Sequence, residues 1–262
     1  MTLFYIGLSF LSNNQQNKCL STEARRILSL LEGRPLKEKD IAKEENGRPF
    51  FPGRDTDFSI SHSGTAVAVS LVRGQNLHAR EEGQTPAVKP SPGAPGKKAG
   101  TGCDIQLVRP RKNIRKIAEE FFCAAERDYI FPPGKTQYDP AKFFHIWALK
   151  ECFLKLRGLS IFDMPKVPSF ITYNAGDRKC CVLNTNIFPS ISFYLYELAD
   201  TDRRYILAAA IEGAGEIRPE ICWFSHPPAE LIPSGSFCSK IASTFSIKTP
   251  GQAKQDSPAL MS

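Results

Sequence analysis

Between Phe143 and Gly158 the chain reads Phe-Phe-His-Ile-Trp-Ala-Leu-Lys-Glu-Cys-Phe-Leu-Lys-Leu-Arg-Gly, an acid and two bases set among apolar residues on a helical period. Glu151 and Lys155 stand four apart, so on a helix they share a face, and Trp147 lies one turn earlier on the same side. Upstream, in Thr-Gly-Cys-Asp-Ile-Gln-Leu-Val, Asp104 and Gln106 alternate with Cys103, Ile105 and Leu107. On a strand the two oxygen-bearing side chains then point one way and the apolar ones the other. Oxygen donors of this kind suit Mg²⁺, which commonly bridges one or two carboxylates to substrate phosphates. Taken singly, each group also has a plainer reading: Glu151 and Lys155 as a surface ion pair of small consequence, Asp104 as a strand-end turn residue.

The surrounding elements are those of an α+β chain with antiparallel strands. Met1 to Leu11 reads as a first strand, with no basic leader or cleavage site. Ser21 to Gly33 begins with a helix-start residue and carries an apolar stripe at Ala24, Ile27, Leu28 and Leu31. Phe58 to Val72 reads as two strands joined by Ser-His-Ser-Gly-Thr as a tight turn. Gly74 to Gly100, with Pro86, Pro90, Pro92 and Pro95, is too poor in apolar side chains to pack and reads as a flexible insertion. A strand opens at Thr101, and a helix follows with Ile114, Ile117, Ala118, Phe121 and Phe122 at helical spacing. After the acid-and-base helix, Ser169 to Ile211 holds four β-rich runs, with a turn at Asn174-Ala-Gly-Asp. The expected division is 1–73, an insertion at 74–100, 101–225, and a disordered tail at 226–262.

Four motifs stand in a telling order: Asn46-Gly-Arg-Pro-Phe, Phe58-Ser-Ile-Ser-His-Ser-Gly, Gly102-Cys-Asp-Ile-Gln and Trp147-Ala-Leu-Lys-Glu-Cys-Phe-Leu-Lys. This series resembles the surfactin-synthetase-type 4′-phosphopantetheinyl transferases, including the bacterial holo-acyl-carrier-protein synthases, closely over Glu45 to Gly158 and loosely to Ile211. The resemblance implies a pseudo-twofold pair of similar α+β subdomains, the first on the coenzyme A side. It also implies a Mg²⁺-dependent enzyme that moves 4′-phosphopantetheine from coenzyme A to a serine of an acyl carrier protein or a peptidyl or aryl carrier domain, as in fatty acid biosynthesis.

Residue by residue, the resemblance places the metal on Asp104, Gln106 and Glu151. Gln106 stands where the family often has an acid, and a neutral amide is a weaker ligand. Glu151 would also take the serine proton, directly or through water, and Lys155 would neutralise the pyrophosphate. Because a metal lowers the proton affinity of a carboxylate it binds, the two roles of Glu151 pull against each other. Ser61 and His62 would meet the coenzyme's phosphates, Arg48 its 3′-phosphate, and Arg25 on the first helix the nucleotide. Glu126 would be structural or brace the site. Of the cationic run from Arg109 to Lys116, Arg111, Arg115 and Lys116 are the candidates for docking an acidic carrier, although such a run also reads as a solvated face.

Length and composition agree with this. The 262 residues, 42% apolar, can bury one large core or two modest ones, and the net charge of +7 with a pI near 9.0 favours anionic partners. The eight cysteines form no Cys-x-x-Cys pair, which speaks for reduced thiols in the cytoplasm. No apolar run approaches the ~20 residues of a membrane helix, and a monomer without nucleic-acid or membrane partners is expected. The alternatives are a non-catalytic nucleotide- or RNA-binding protein, against which the cationic run lacks interleaved aromatics, and an inactive relative, for which Gln106 and the short N-terminal half are the motives.

Overall fold

In the computed structural model, residues 2–11, 20–74, 99–175, 178–183, 191–200, 203–213, 217, 219–224, 231–233 and 245–247 are described. Strand β1 (Leu3–Phe10), helix α1 (Leu20–Glu32), two short strands β2 (Ala42–Lys43) and β3 (Pro49–Phe50), and the hairpin β4 (Thr56–Ser63) and β5 (Ala66–Arg73) make up the first half. The second half runs β6 (Gly100–Leu107), α2 (Ile114–Phe121), α3 (Ala124–Ile130), α4 (Pro140–Arg157), β7 (Phe170–Ala175), β8 (Arg178–Leu183), β9 (Ile191–Asp200) and β10 (Arg203–Glu212). In each half the first strand pairs antiparallel with the second strand of a hairpin, giving the matching orders β1-β5-β4 and β6-β10-β9. This is the α+β architecture with antiparallel sheets that the sequence led us to expect. Strand β11 (Glu220–Phe224) returns to pair parallel with β1, so a segment from beyond the second half completes the first sheet.

Burial sorts the layers. On β10, Ile206, Ala208 and Ala210 face α4 and its neighbours, while Tyr205, Leu207, Ala209 and Ile211 face the other sheet. On β5, Val67, Val69 and Leu71 pack with α1, while Ala66, Ala68 and Val72 join that same inter-sheet layer. Both strands are apolar at almost every position because both of their faces are covered. The layers therefore run helix, sheet, sheet, helix.

The two sheets also meet edge to edge. Backbone N–H groups of β6 that lack a strand partner are taken by side chains of β4: Thr101 N by Asp57 Oδ2 (2.8 Å), Ile105 N by Ser61 Oγ (3.1 Å) and Leu107 N by Ser63 Oγ (3.0 Å). Each pair is separated by 44 residues, so β4 and β6 run in one constant register. This corrects the expectation that Ser61 and His62 belong to a tight turn. Both lie within β4, paired to Ala68 and Val67, and the reversal falls at Gly64 and Thr65, where Gly64 has φ 57. The physical reason is that Ser61 and Ser63 bond to β6, which keeps the strand extended for three more residues than turn chemistry alone suggests.

The insertion expected at 74–100 lies, from 75 to 98, outside the described residues. Of the tail from 226 onward, strand β12 (Leu231–Pro233) pairs with β11 and strand β13 (Phe245–Ile247) sits between β8 and β9; the remainder lies outside the described residues. Among the described residues, no helix is long and apolar enough to cross a membrane.

Candidate active site

Helix α4 is apolar around most of its circumference because it is buried on most sides. Asp139 caps its start, accepting from Ala141 N (3.0 Å), and Pro140 occupies the first turn, where a missing N–H costs nothing. The open stripe is Trp147, Glu151 and Lys155, each half-buried among buried neighbours. Trp147 stacks on Phe143 and leans on Phe121 and Phe122. The helix lies hard against β6 at Gly102, where a Cβ would run into the carbonyl of Cys152 and the backbone of Leu156. Only glycine lets the two backbones come this close.

That close approach brings α4's side chains to Asp104, which is 2% exposed. Asp104 Oδ1 accepts from Ser61 Oγ (2.8 Å) and from Lys155 Nζ (2.7 Å), and Oδ2 accepts from Gln106 Nε2 (2.8 Å). Four residues named from the sequence thus form one hydrogen-bonded group. Glu151 shares their field. Burial, then the negative charge of Asp104, push its carboxyl from an ordinary 4.5 up to about 7, and Lys155 only partly offsets this. At Lys155, burial works against the charge, but Asp104 more than compensates and the pKa is raised, so the ammonium stays charged. Burial likewise raises the thiols of Cys103 and Cys152, which remain protonated and donate to backbone carbonyls of Ser59 and Gly102.

Arg48 is placed differently from a free phosphate ligand. Its Nη2 meets both oxygens of Asp57 (2.8 and 2.7 Å), and its Nε donates to the carbonyl of Lys155 (3.0 Å). It nevertheless lines, with Asn46, Ser59, Ile60, Lys155 and Leu159, a cavity of ≈ 230 Å³ that shares Lys155 with the hydrogen-bonded group. His62 is exposed on β4, and Arg25 is exposed on α1, outside the hydrogen-bonded group. In the cationic run, Arg111 lies over the Phe144 ring (5.4 Å) and Arg115 over Phe131 (4.3 Å), while Lys116 is exposed.

Glu126 is fully buried: Oε1 accepts from Phe170 N (2.7 Å) and pairs with Lys150 Nζ (3.2 Å), and Oε2 accepts from Cys123 N (2.9 Å). It ties the start of α3, the middle of α4 and the start of β7 together, one residue along α4 from Glu151. Sequence reasoning passed over Asp57, Ser63 and Lys150. Asp57 and Ser63 could have been found from the odd-position polar pattern Asp57, Ser59, Ser61, Ser63 on a strand whose other face carries Phe58 and Ile60.

Can this group hold a divalent cation? Asp104 and Glu151 offer carboxylate oxygens. Gln106 commits its nitrogen end to Asp104, which leaves its carbonyl end as an acceptor. A carboxylate has about four lone-pair sites, and three protein donors fill three of those on Asp104. Burial raises Glu151 first and the charge of Asp104 second, and a cation would relieve the second of these. Among the described residues no three His, Cys, Asp or Glu side chains group to hold a metal. A divalent cation here would meet at most the carboxylates of Asp104 and Glu151 and the carbonyl of Gln106, and would need further oxygens from substrate or water to fill its shell.

Comparison with known proteins points the same way. Residues 100–210 match the family model described as the 4′-phosphopantetheinyl transferase superfamily. The chain is 32% identical over 146 residues to 4′-phosphopantetheinyl transferase AcpT of Escherichia coli, which covers 54% of this chain and 58% of that protein. It is 29% identical over 158 residues to AcpT of Salmonella typhimurium, covering 60% and 68% respectively. Against 4′-phosphopantetheinyl transferase psf-1 of Bacillus pumilus it is 30% identical over 139 residues, and the match spans about half of each chain, 52% and 47%. The matched region contains β6, α4 and the whole Asp104, Gln106, Glu151 and Lys155 group, and it is through these elements that the chain is similar to the 4′-phosphopantetheinyl transferase superfamily.

Proposed function

We propose that this chain transfers 4′-phosphopantetheine from coenzyme A to a serine of an apo carrier protein, releasing 3′,5′-ADP. The observation that carries the reading is the convergence of Asp104 from β6 with Glu151 and Lys155 from α4, in a setting that holds Glu151 near neutrality as a proton acceptor. The serine oxygen forms the new bond to the pantetheine-bearing phosphorus, and the bond from that phosphorus to the ADP oxygen breaks. Charge spreads over phosphate oxygens, so positioning and neutralisation count for more than covalent participation. Lys155 presents a permanent positive charge at the carboxylate group. Glu151 accepts the serine proton directly or through one water, a role that a bound cation would weaken by lowering the proton affinity of the carboxylate. Asp104, Glu151 and the Gln106 carbonyl would hold Mg²⁺, which when bound supplies charge neutralisation at the pyrophosphate.

The cavity bounded by Arg48 and Lys155 is our candidate for the coenzyme, with Ser61, exposed His62 and Arg25 as further contacts from the first half. Arg111, Arg115 and Lys116 offer a cationic surface to an acidic carrier, either an acyl carrier protein or a peptidyl or aryl carrier domain. Cys103, Cys123, Cys152 and Cys222 are free thiols, in keeping with a cytoplasmic protein. Incubating the chain with coenzyme A, Mg²⁺ and a panel of apo carriers, with intact-mass detection, tests the proposal. At least one carrier should gain one phosphopantetheine at its serine; no gain on any carrier rejects it.

A further inference from the structure

The loop from Asn46 to Arg48, between β2 and β3, wraps the C-terminal end of α4. Asn46 Nδ2 donates to the carbonyl of Gly158 (2.5 Å) and Arg48 Nε to the carbonyl of Lys155 (3.0 Å). The last carbonyls of a helix have no partner within it. Here the Lys155 carbonyl receives the N–H of Gly158 (3.3 Å) and, as a second donor, Arg48 from 107 residues away, while Asn46, 112 residues away, bonds the carbonyl of the capping residue Gly158. Gly158 adopts φ 62, and a Cβ there would lie 2.7 Å from Asn46 Nδ2, so the loop fits only against glycine. Arg48 is itself held. Its Nη2 grips both oxygens of Asp57, its N–H donates to Asn46 Oδ1 (2.9 Å), and Asp57 Oδ2 accepts from Thr101 N (2.8 Å). A continuous chain of bonds therefore runs from the last turn of α4 to the start of β6, three residues before Asp104.

We propose that Asn46, Arg48 and Asp57 form a clasp that sets the height of α4 against β6, and with it the placement of Glu151 and Lys155 over Asp104. Arg48 is then a positioning residue for the transfer reaction, and this inference rests on the function proposed above. The carbonyl that Arg48 holds belongs to Lys155 itself, whose Nζ lies 2.7 Å from Asp104 Oδ1. Glu151 stands one turn further along, about 6 Å on. A guanidinium with one arm on a carboxylate and its Nε on a carbonyl has committed most of its fork inside the protein. Because a misplacement of about 1 Å can cost on the order of 100-fold in rate, a clasp at this point governs turnover more than binding.

Two substitutions in the full chain separate the roles. Asp57→Asn keeps the shape of the side chain but removes its charge and releases Arg48; Asn46→Ala removes the second donor to α4. Each should lower kcat by about 10-fold or more, and Asp57→Asn, which lies outside the cavity lining, should hold KM for coenzyme A within about twofold. Amide hydrogen exchange at Leu154 to Leu159 should quicken, while β5 and β10 keep their protection. If Arg48 chiefly grips a coenzyme phosphate, Asp57→Asn would instead tighten coenzyme A binding and leave kcat unchanged, and the clasp would be overturned. The exchange measurement needs no turnover. Should the wild-type chain modify no carrier, the proposed function falls, yet faster exchange confined to the last turn of α4 still supports the clasp and unchanged exchange rejects it.

Discussion

Replacing Glu151 by Gln should stabilise the metal-free protein above pH 7 and leave it unchanged near pH 4. The carboxyl is raised from 4.5 to about 7, first by burial and then by Asp104. A raised acid is fully accommodated below its unfolded value, where it is neutral in both states. Stability is then lost progressively as pH climbs from 4.5 through 7, because the unfolded chain releases the proton first. At about 1.4 kcal/mol for each pH unit, the rise corresponds to at most about 3.5 kcal/mol, and the partial exposure of Glu151 trims this to roughly 2 kcal/mol. Glutamine removes the cost while filling the same space. Urea unfolding in EDTA at pH 4.5 and pH 8 measures it: the variant's midpoint should exceed the wild type's by roughly 0.5–1 M at pH 8 and match it at pH 4.5. Adding Mg²⁺ at pH 8 should narrow the gap by stabilising the wild type alone. A variant no more stable at pH 8 than at pH 4.5, relative to wild type, would refute the crowding of Glu151 by burial and Asp104.

Three further outcomes follow from particular contacts. Asp104→Ala should abolish nearly all carrier modification while circular dichroism shows an unchanged fold, since the Lys155 side chain it releases is 30% exposed and can reach water. Glu126→Ala should cost about 3–5 kcal/mol, because it leaves the ammonium of Lys150 buried without its partner, and urea unfolding would reveal it. Reversing Arg111, Arg115 and Lys116 to Glu should raise the carrier's KM and flatten its salt dependence with little change for coenzyme A. Because Arg111 and Arg115 also lie over Phe144 and Phe131, melting temperature should fall in that variant and barely move in Lys116→Glu alone.

Much of the site was legible because it rests on local periodicity. The 3.6-residue repeat predicted that Trp147, Glu151 and Lys155 share a stripe, and the two-residue repeat that Asp104 and Gln106 share a strand face. Both hold, and Gln106 touches Asp104 as a result. What a single sequence could not show is the constant offset of 44 residues between β4 and β6, since it arises from side chains of one strand satisfying the backbone of another. The polar row Asp57, Ser59, Ser61 and Ser63 was open to local reading, but the backbone it serves was hidden for that reason, and the end of β4 was read as a turn. Arg48 was legible as a cation before proline, but its grip on Asp57 and on the carbonyl of Lys155 depends on contacts between distant segments that no local pattern encodes. The return of β11 to the first sheet is likewise a long-range pairing.

The central claim concerns one reaction with two products, and following both at once tests it most directly. With coenzyme A, an apo carrier and Mg²⁺, the account predicts that 3′,5′-ADP and holo carrier appear in equal amounts, and that EDTA stops both. Release of 3′,5′-ADP without a modified carrier, or formation of neither product across a panel of carriers, would contradict it.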